Sequence, residues 1–169
     1  IGRYSNGDNN SVIIRGSGSA LYSSNSFDLG YQEADGNELH VEDGGLFYCS
    51  GNSTVGDLSA NNNGIVVSGD VSLVKIDGTL SLGISSSTGN SMSVINGGQA
   101  KVDDFYALSD NYLKIAKGVY GDYGNEETDY ESGSHEDNVL LWDNAVQNWV
   151  RLEDLTEQEI GRASCRERV

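Results

Sequence analysis

Two histidines, two cysteines and a run of closely spaced acids are the residues that could do chemistry in this 169-residue chain. Histidine can serve as a general base or a metal ligand. His40 stands between Leu39 and Val41 in a stretch that alternates apolar and polar residues, which points its ring toward solvent. His135 lies among Asp122, Glu126, Glu127, Asp129, Glu131, Glu136 and Asp137, hard oxygen donors of the kind that bind calcium. These acids form neither an Asp-x-Asp-x-Asp-Gly loop nor a Gly-Gly-x-Gly-x-Asp repeat, so the cluster reads as a solvated acidic loop. Cys49 aligns with Val102 at an inward strand position and reads as a small core residue. Trp142 aligns with Val94 and reads as core. Trp149, Tyr120, Tyr123 and Tyr130 could form a carbohydrate-binding face, or cap the end of the fold. Asn9-Asn10-Ser11 and Asn52-Ser53-Thr54 match the short glycosylation acceptor pattern, which arises often by chance. No nucleophile elbow, phosphate loop or metal-binding histidine pair is present. The sequence therefore assigns no catalytic, cofactor-binding or metal-binding residues, and the expectation is a protein that is not an enzyme.

Whatever chemistry exists must be positioned by strands. The chain has 22 glycines and no proline, where ordinary usage would supply about eight prolines. Its 10 basic and 26 acidic residues give a net charge of −16, which repels nucleic acid and anionic lipid. The hydrophobic fraction of 37% is too high for a disordered chain. No run approaches the ~18 apolar residues of a membrane helix. The chain opens at Ile1 rather than Met, with no signal peptide, so the sequence reads as lacking its true N-terminus. At the other end, Ile-Gly-Arg-Ala-Ser-Cys-Arg-Glu-Arg-Val, residues 160–169, is similar to the in-frame translation of a common sequencing adapter. It is set aside as an artefact tail. Without it the body has 7 basic and 25 acidic residues, a net charge of −18. Cys49 is then the one cysteine of the body, which leaves no intrachain disulfide.

An internal repeat organises residues 1–110. Asn10 to about Asp57 aligns without a gap with Asn63 to about Asp110, an offset of 53. Phe27-Asp28-Leu29-Gly30 matches Leu80-Ser81-Leu82-Gly83, and Asp43-Gly44-Gly45 matches Asn96-Gly97-Gly98. Within each copy the two halves also resemble each other. Asn10, Asn37, Asn63 and Asn90, spaced 27, 26 and 27 apart, each open an alternating stretch: Val12/Ile14, Leu39/Val41, Ile65/Val67 and Met92/Val94. Residues 111–159 degrade the pattern. Asn111 opens Leu113/Ile115, Asn138 opens Leu140/Trp142, and an acidic insert spans 118–137. Val150/Leu152 echoes Ala100/Val102.

Period-2 alternation means strands with one buried face. A unit of about 27 residues cannot bury that face alone, and stacking copies solves the problem. The expected fold is all-β, a right-handed parallel β-helix (β-solenoid) with coils of about 27 residues; a gapless repeat argues against an antiparallel sandwich. Proline's absence fits, because every stacked strand uses its N–H. The recurring Asn has two readings at this stage. It forms a hydrogen-bonded ladder between coils, or it tolerates the left-handed turn conformation.

The phrase Leu82 to Ala100, with Leu-Gly, a polar loop and then Asn-Ser-Met-Ser-Val-Ile-Asn-Gly-Gly-Gln-Ala, resembles the β-strand repeats of autotransporter-associated passenger proteins. A diverged copy spans Leu29 to Leu46, and Arg15-Gly16-Ser17-Gly18-Ser19-Ala20-Leu21 resembles the short Gly-Ser strand that introduces each copy. The resemblance covers roughly residues 1–110 and implies a secreted bacterial surface fibre with scaffold or adhesive function. It implies localisation at the cell surface or outer membrane, with any membrane-anchoring barrel downstream. Partners under that reading are glycans or surface proteins, with end-to-end self-association of coils, no nucleic acid and no membrane insertion. The alternatives are a polysaccharide lyase or hydrolase, or a carbohydrate-binding module. A lyase would need clustered carboxylates and bases, whereas Arg3, Arg15, Lys75 and Lys101 are scattered.

Overall fold

The computed structural model of the chain describes residues 1–116, 119–122, 138–143 and 148–151. Side chains are described for these except 119–122, 142 and 143. The described chain is all-β and winds as a parallel β-solenoid of about 4 turns, about 26 residues apart. Each coil has three faces. The first face holds β1 (Ser11–Arg15), β4 (Glu38–Glu42), β7 (Gly64–Ser68), β9 (Ser91–Ile95), β11 (Tyr112–Ala116), β13 (Val139–Asp143) and β14 (Asn148–Arg151), in that spatial order. The second holds β2 (Ala20–Ser23), β5 (Leu46–Cys49), the first half of β8 (Leu73–Leu82), the first half of β10 (Gln99–Ala107) and β12 (Val119–Asp122). The third is built from β3 (Phe27–Tyr31), β6 (Ser53–Asp57) and the second halves of β8 and β10.

Stacking puts equivalent residues of successive coils directly over one another. Leu39 pairs with Ile65, Ile65 with Met92 and Met92 with Leu113, all essentially without exposure. Val41, Val67 and Val94 form the adjacent buried column. On the second face Phe47, Val74 and Ala100 stack, as do Cys49, Ile76 and Val102. Cys49 is therefore a core residue. On the third, Leu29 and Val55 stack with Leu82 and Ala107. The 53-residue repeat is thus a pair of coils of 27 and 26 residues, in register until Val102. There β10 shifts by one residue against β8 between Val102 and Asp104.

The C-terminal end departs from the sequence reading in two ways. Leu113 pairs with Val139 and Ile115 with Leu141, so Val139 and Leu141 point inward, while Leu140 opposes the outward Lys114. Leu140 does not occupy the inward column expected of it, and the side chain of Trp142 lies outside those described. The cause lies at Asn138, whose side-chain N–H donates to the carbonyls of Asn111 (2.7 Å) and Leu108 (2.9 Å). Asn138 does not repeat the rung of Asn111 and sits one position later, and a one-residue slip reverses facing along a strand. The second departure is β14, which pairs antiparallel with β13, Val150 opposite Leu141 and Trp149 opposite Trp142. Val150 does not repeat the second-face position of Ala100. Among the described residues the first face therefore ends in the antiparallel pair β13–β14, whereas β1 at the other end has a partner on one side only.

Candidate functional surface

The recurring asparagines are internal. Asn37, Asn63, Asn90 and Asn111 are each no more than 1% exposed. The carboxamide oxygen of Asn37 accepts both the backbone N–H (3.0 Å) and the side-chain N–H (2.9 Å) of Asn10. Asn63 does the same for Asn37 (2.9 and 3.0 Å), Asn90 for Asn63 (2.9 and 3.1 Å) and Asn111 for Asn90 (3.0 and 2.9 Å). The ladder reading holds. The left-handed conformation belongs instead to the preceding residue: Asn9, Gly36, Asn62, Gly89 and Asp110 have φ between 56° and 71°. The Leu-Gly phrase has its reason here. A Cβ on Gly30, Gly56 or Gly83 would overlap the carboxamide of Asn63, Asn90 or Asn111, respectively. The same glycines have φ of 77°, 79° and 67°. A second ladder runs beside the first: Asp8 accepts from the Asp35 N–H, Asp35 from that of Asn61, and Asn61 from that of Thr88.

What remains for chemistry points outward. His40 lies on the outer side of β4, where its two ring nitrogens face Glu38 at 2.8 Å and Glu42 at 3.3 Å. Glu42 also accepts from Arg15 Nε at 2.9 Å. That hydrogen bond holds the Glu42 carboxyl below its usual range, although desolvation opposes it, and raises the already high pKa of Arg15. Both ring nitrogens of His40 are thus taken up by neighbouring carboxylates of the same strand. Arg3 stacks over Tyr4 and Tyr31, its guanidinium carbon 5.0 and 5.5 Å from their ring centres. Among the described residues no three of His, Cys, Asp and Glu gather to hold a metal ion. His135, Tyr123, Tyr130 and the acids from Glu126 to Asp137 lie outside the described residues, as does the tail 160–169. Val119–Asp122, the start of the acidic insert, form β12 and pair with Gln99–Val102.

The second face carries a group that sequence reading missed. Tyr22 pairs with Tyr48, Tyr48 with Lys75 and Lys75 with Lys101, one residue per coil, all on the outer side. Tyr22 and Tyr48 meet edge to face, ring centres 6.1 Å apart. Lys75 Nζ lies 5.1 Å from the Tyr48 ring centre and 2.7 Å from Asp77 Oδ1. The Tyr48 hydroxyl donates to Asp77 Oδ2 at 2.7 Å. These bonds, Lys75 first and Tyr48 second, hold the Asp77 carboxyl below the usual carboxylate range, and Asp77 in turn raises both partners. The signal was present in the spacing of 26 and 27 residues, but the column becomes visible only when coils of unequal length are set in register. Neither a protein-family model, nor a curated protein, nor a solved structure matches the chain.

Proposed function

We propose that this chain is a segment of a secreted bacterial cell-surface repeat protein of the autotransporter-passenger type, acting as a scaffold or adhesin rather than as an enzyme. The carrying observation is the Asn–Gly interior that runs from Asn10 to Asn111. Each coil supplies one acceptor to the coil before it and one glycine that makes room for the rung. Such a unit is stabilised mainly by its neighbours, so adding coils lengthens a rod without new design. The polar groups this interior consumes are structural, and the outer faces are left to vary. The resemblance of residues 82–100 to passenger repeats adds the cell-surface setting.

The test is export. The full chain is fused upstream of a translocating autotransporter barrel in a Gram-negative host, and intact cells are treated with protease. Surface display of a protease-resistant body supports the reading. Retention inside the cell, or release of reducing ends from pectin or alginate by the purified chain, overturns it.

A further inference from the structure

The three outer faces of the solenoid differ in chemistry. The third face presents Asp28, Thr54, Ser81 and Tyr106 in successive coils. Along its middle column, the first presents Ile13, His40, Val66, Ser93 and Lys114. The second presents two adjacent columns: Ala20, Leu46, Leu73 and Gln99, and beside them Tyr22, Tyr48, Lys75 and Lys101. The edge-to-face pair of tyrosine rings lies on the outside of the second sheet, with Tyr22 66% exposed.

From this we infer that the second face binds a neutral, β-linked hexopyranose chain lying along the stack axis, across the strands. Three observations fit that ligand class. Coils rise by about 4.8 Å, the strand spacing of a sheet, which is comparable to the length of one pyranose unit, so successive side chains meet successive sugars. Tyrosine rings beside half-exposed leucines offer flat apolar surface for the C–H face of a sugar, and a few fixed polar groups beside them set orientation. Asp77 is fixed in that role: it takes the Tyr48 hydroxyl and Lys75 together and still presents carboxylate lone pairs to hydroxyl donors. Charge selects against acidic glycans. Lys75 is compensated by Asp77, and the chain as a whole carries a net charge of −16.

The inference gives the adhesive branch of the proposed function its ligand class, and it stands on the second face rather than on export. Its test is made in solution, so its failure and the failure of export are separate results. The full chain is run in affinity gels and titrated by calorimetry against glucomannan, xyloglucan and hydroxyethylcellulose, with polygalacturonate and heparin as acidic counterparts. Binding to at least one neutral polymer is expected. Tyr22→Ala and Tyr48→Ala should each weaken it about tenfold, with an unchanged circular dichroism spectrum. Tyr22 packs so little that its replacement leaves folding intact. Tyr48→Phe, which keeps the ring and frees Asp77, should fall between Tyr48→Ala and the parent chain. No binding to any neutral polymer, binding confined to the acidic ones, or binding that survives the paired tyrosine substitution overturns the inference.

Discussion

Replacing Asn63 with alanine isolates one rung of the ladder. Its carboxamide accepts from Asn37 N (2.9 Å) and Asn37 Nδ2 (3.0 Å), and donates to Asn90 Oδ1 and Asn61 O, both at 3.1 Å. In Asn63→Ala the Asn37 backbone N–H loses its acceptor at a fully buried residue, and Asn37 Nδ2 keeps only the Asp35 carbonyl at 3.3 Å. A buried donor left unsatisfied costs about 1–3 kcal/mol, and each ordinary hydrogen bond lost about 0.5–1.5 kcal/mol. Removing the amide also removes the cost of burying it, which offsets part of the sum. The net loss should be about 2–4 kcal/mol. For a chain of this size that lowers Tm by roughly 4–16 °C. The assay is thermal melting by circular dichroism, paired with amide exchange at Asn37, whose protection should fall most. Asn62→Gly is the control. Asn62 is the left-handed residue of the same corner, φ 56°, and its N–H bond to Thr88 O survives in glycine. It should change stability by less than about 0.5 kcal/mol. An Asn63→Ala chain melting with the parent, or an Asn62→Gly chain losing as much as Asn63→Ala, would refute the ladder as the stabilising element.

Other outcomes follow from the same geometry. Gly56→Ala drives a methyl into the Asn90 carboxamide at φ 79° and should cost about 2–4 kcal/mol. Gly18→Ala, φ 85° with open space around it, should cost only about 1 kcal/mol in denaturant titration. At the C-terminal coil, Leu141→Asp should destabilise by more than about 3 kcal/mol and Leu140→Asp by less than about 1.5 kcal/mol. The reverse order would mean the strand is in the register that its sequence alone suggests. The Tyr48–Lys75–Asp77 group makes a pH signature. Asp77 is held below its unfolded value, so its contribution is full above that value and is lost as pH falls through the lower folded one. Lys75 and Tyr48 are held above theirs, so their contributions are full below the unfolded values and are lost as pH rises through the folded ones. Lys75→Met should flatten both limbs of the stability–pH curve, and the effect should be small and shrink with added salt because the group is exposed.

The alternation of Leu39/Val41, Ile65/Val67 and Met92/Val94 and the 53-residue repeat were enough to specify a parallel stack and its inward columns, Cys49 included. In a solenoid the neighbour in space is the same position one coil away, so one-dimensional periodicity carries three-dimensional contact. Three things needed the folded chain. Asn at a turn reads equally as a left-handed residue or a rung, and only the stacked coils show Asn62 taking the first role and Asn63 the second. Val139 to Trp142 is an unbroken apolar run, which has no alternation from which to choose a facing. Its register was set by the hydrogen bonds of Asn138 to the coil before it, and alternation at Val150 fits a parallel or an antiparallel strand alike. The Tyr22–Tyr48–Lys75–Lys101 column was hidden because its members are separated by 26, 27 and 26 residues and differ in chemistry. Their adjacency comes from hydrogen-bonded register between strands, a property of the stack that no single coil possesses.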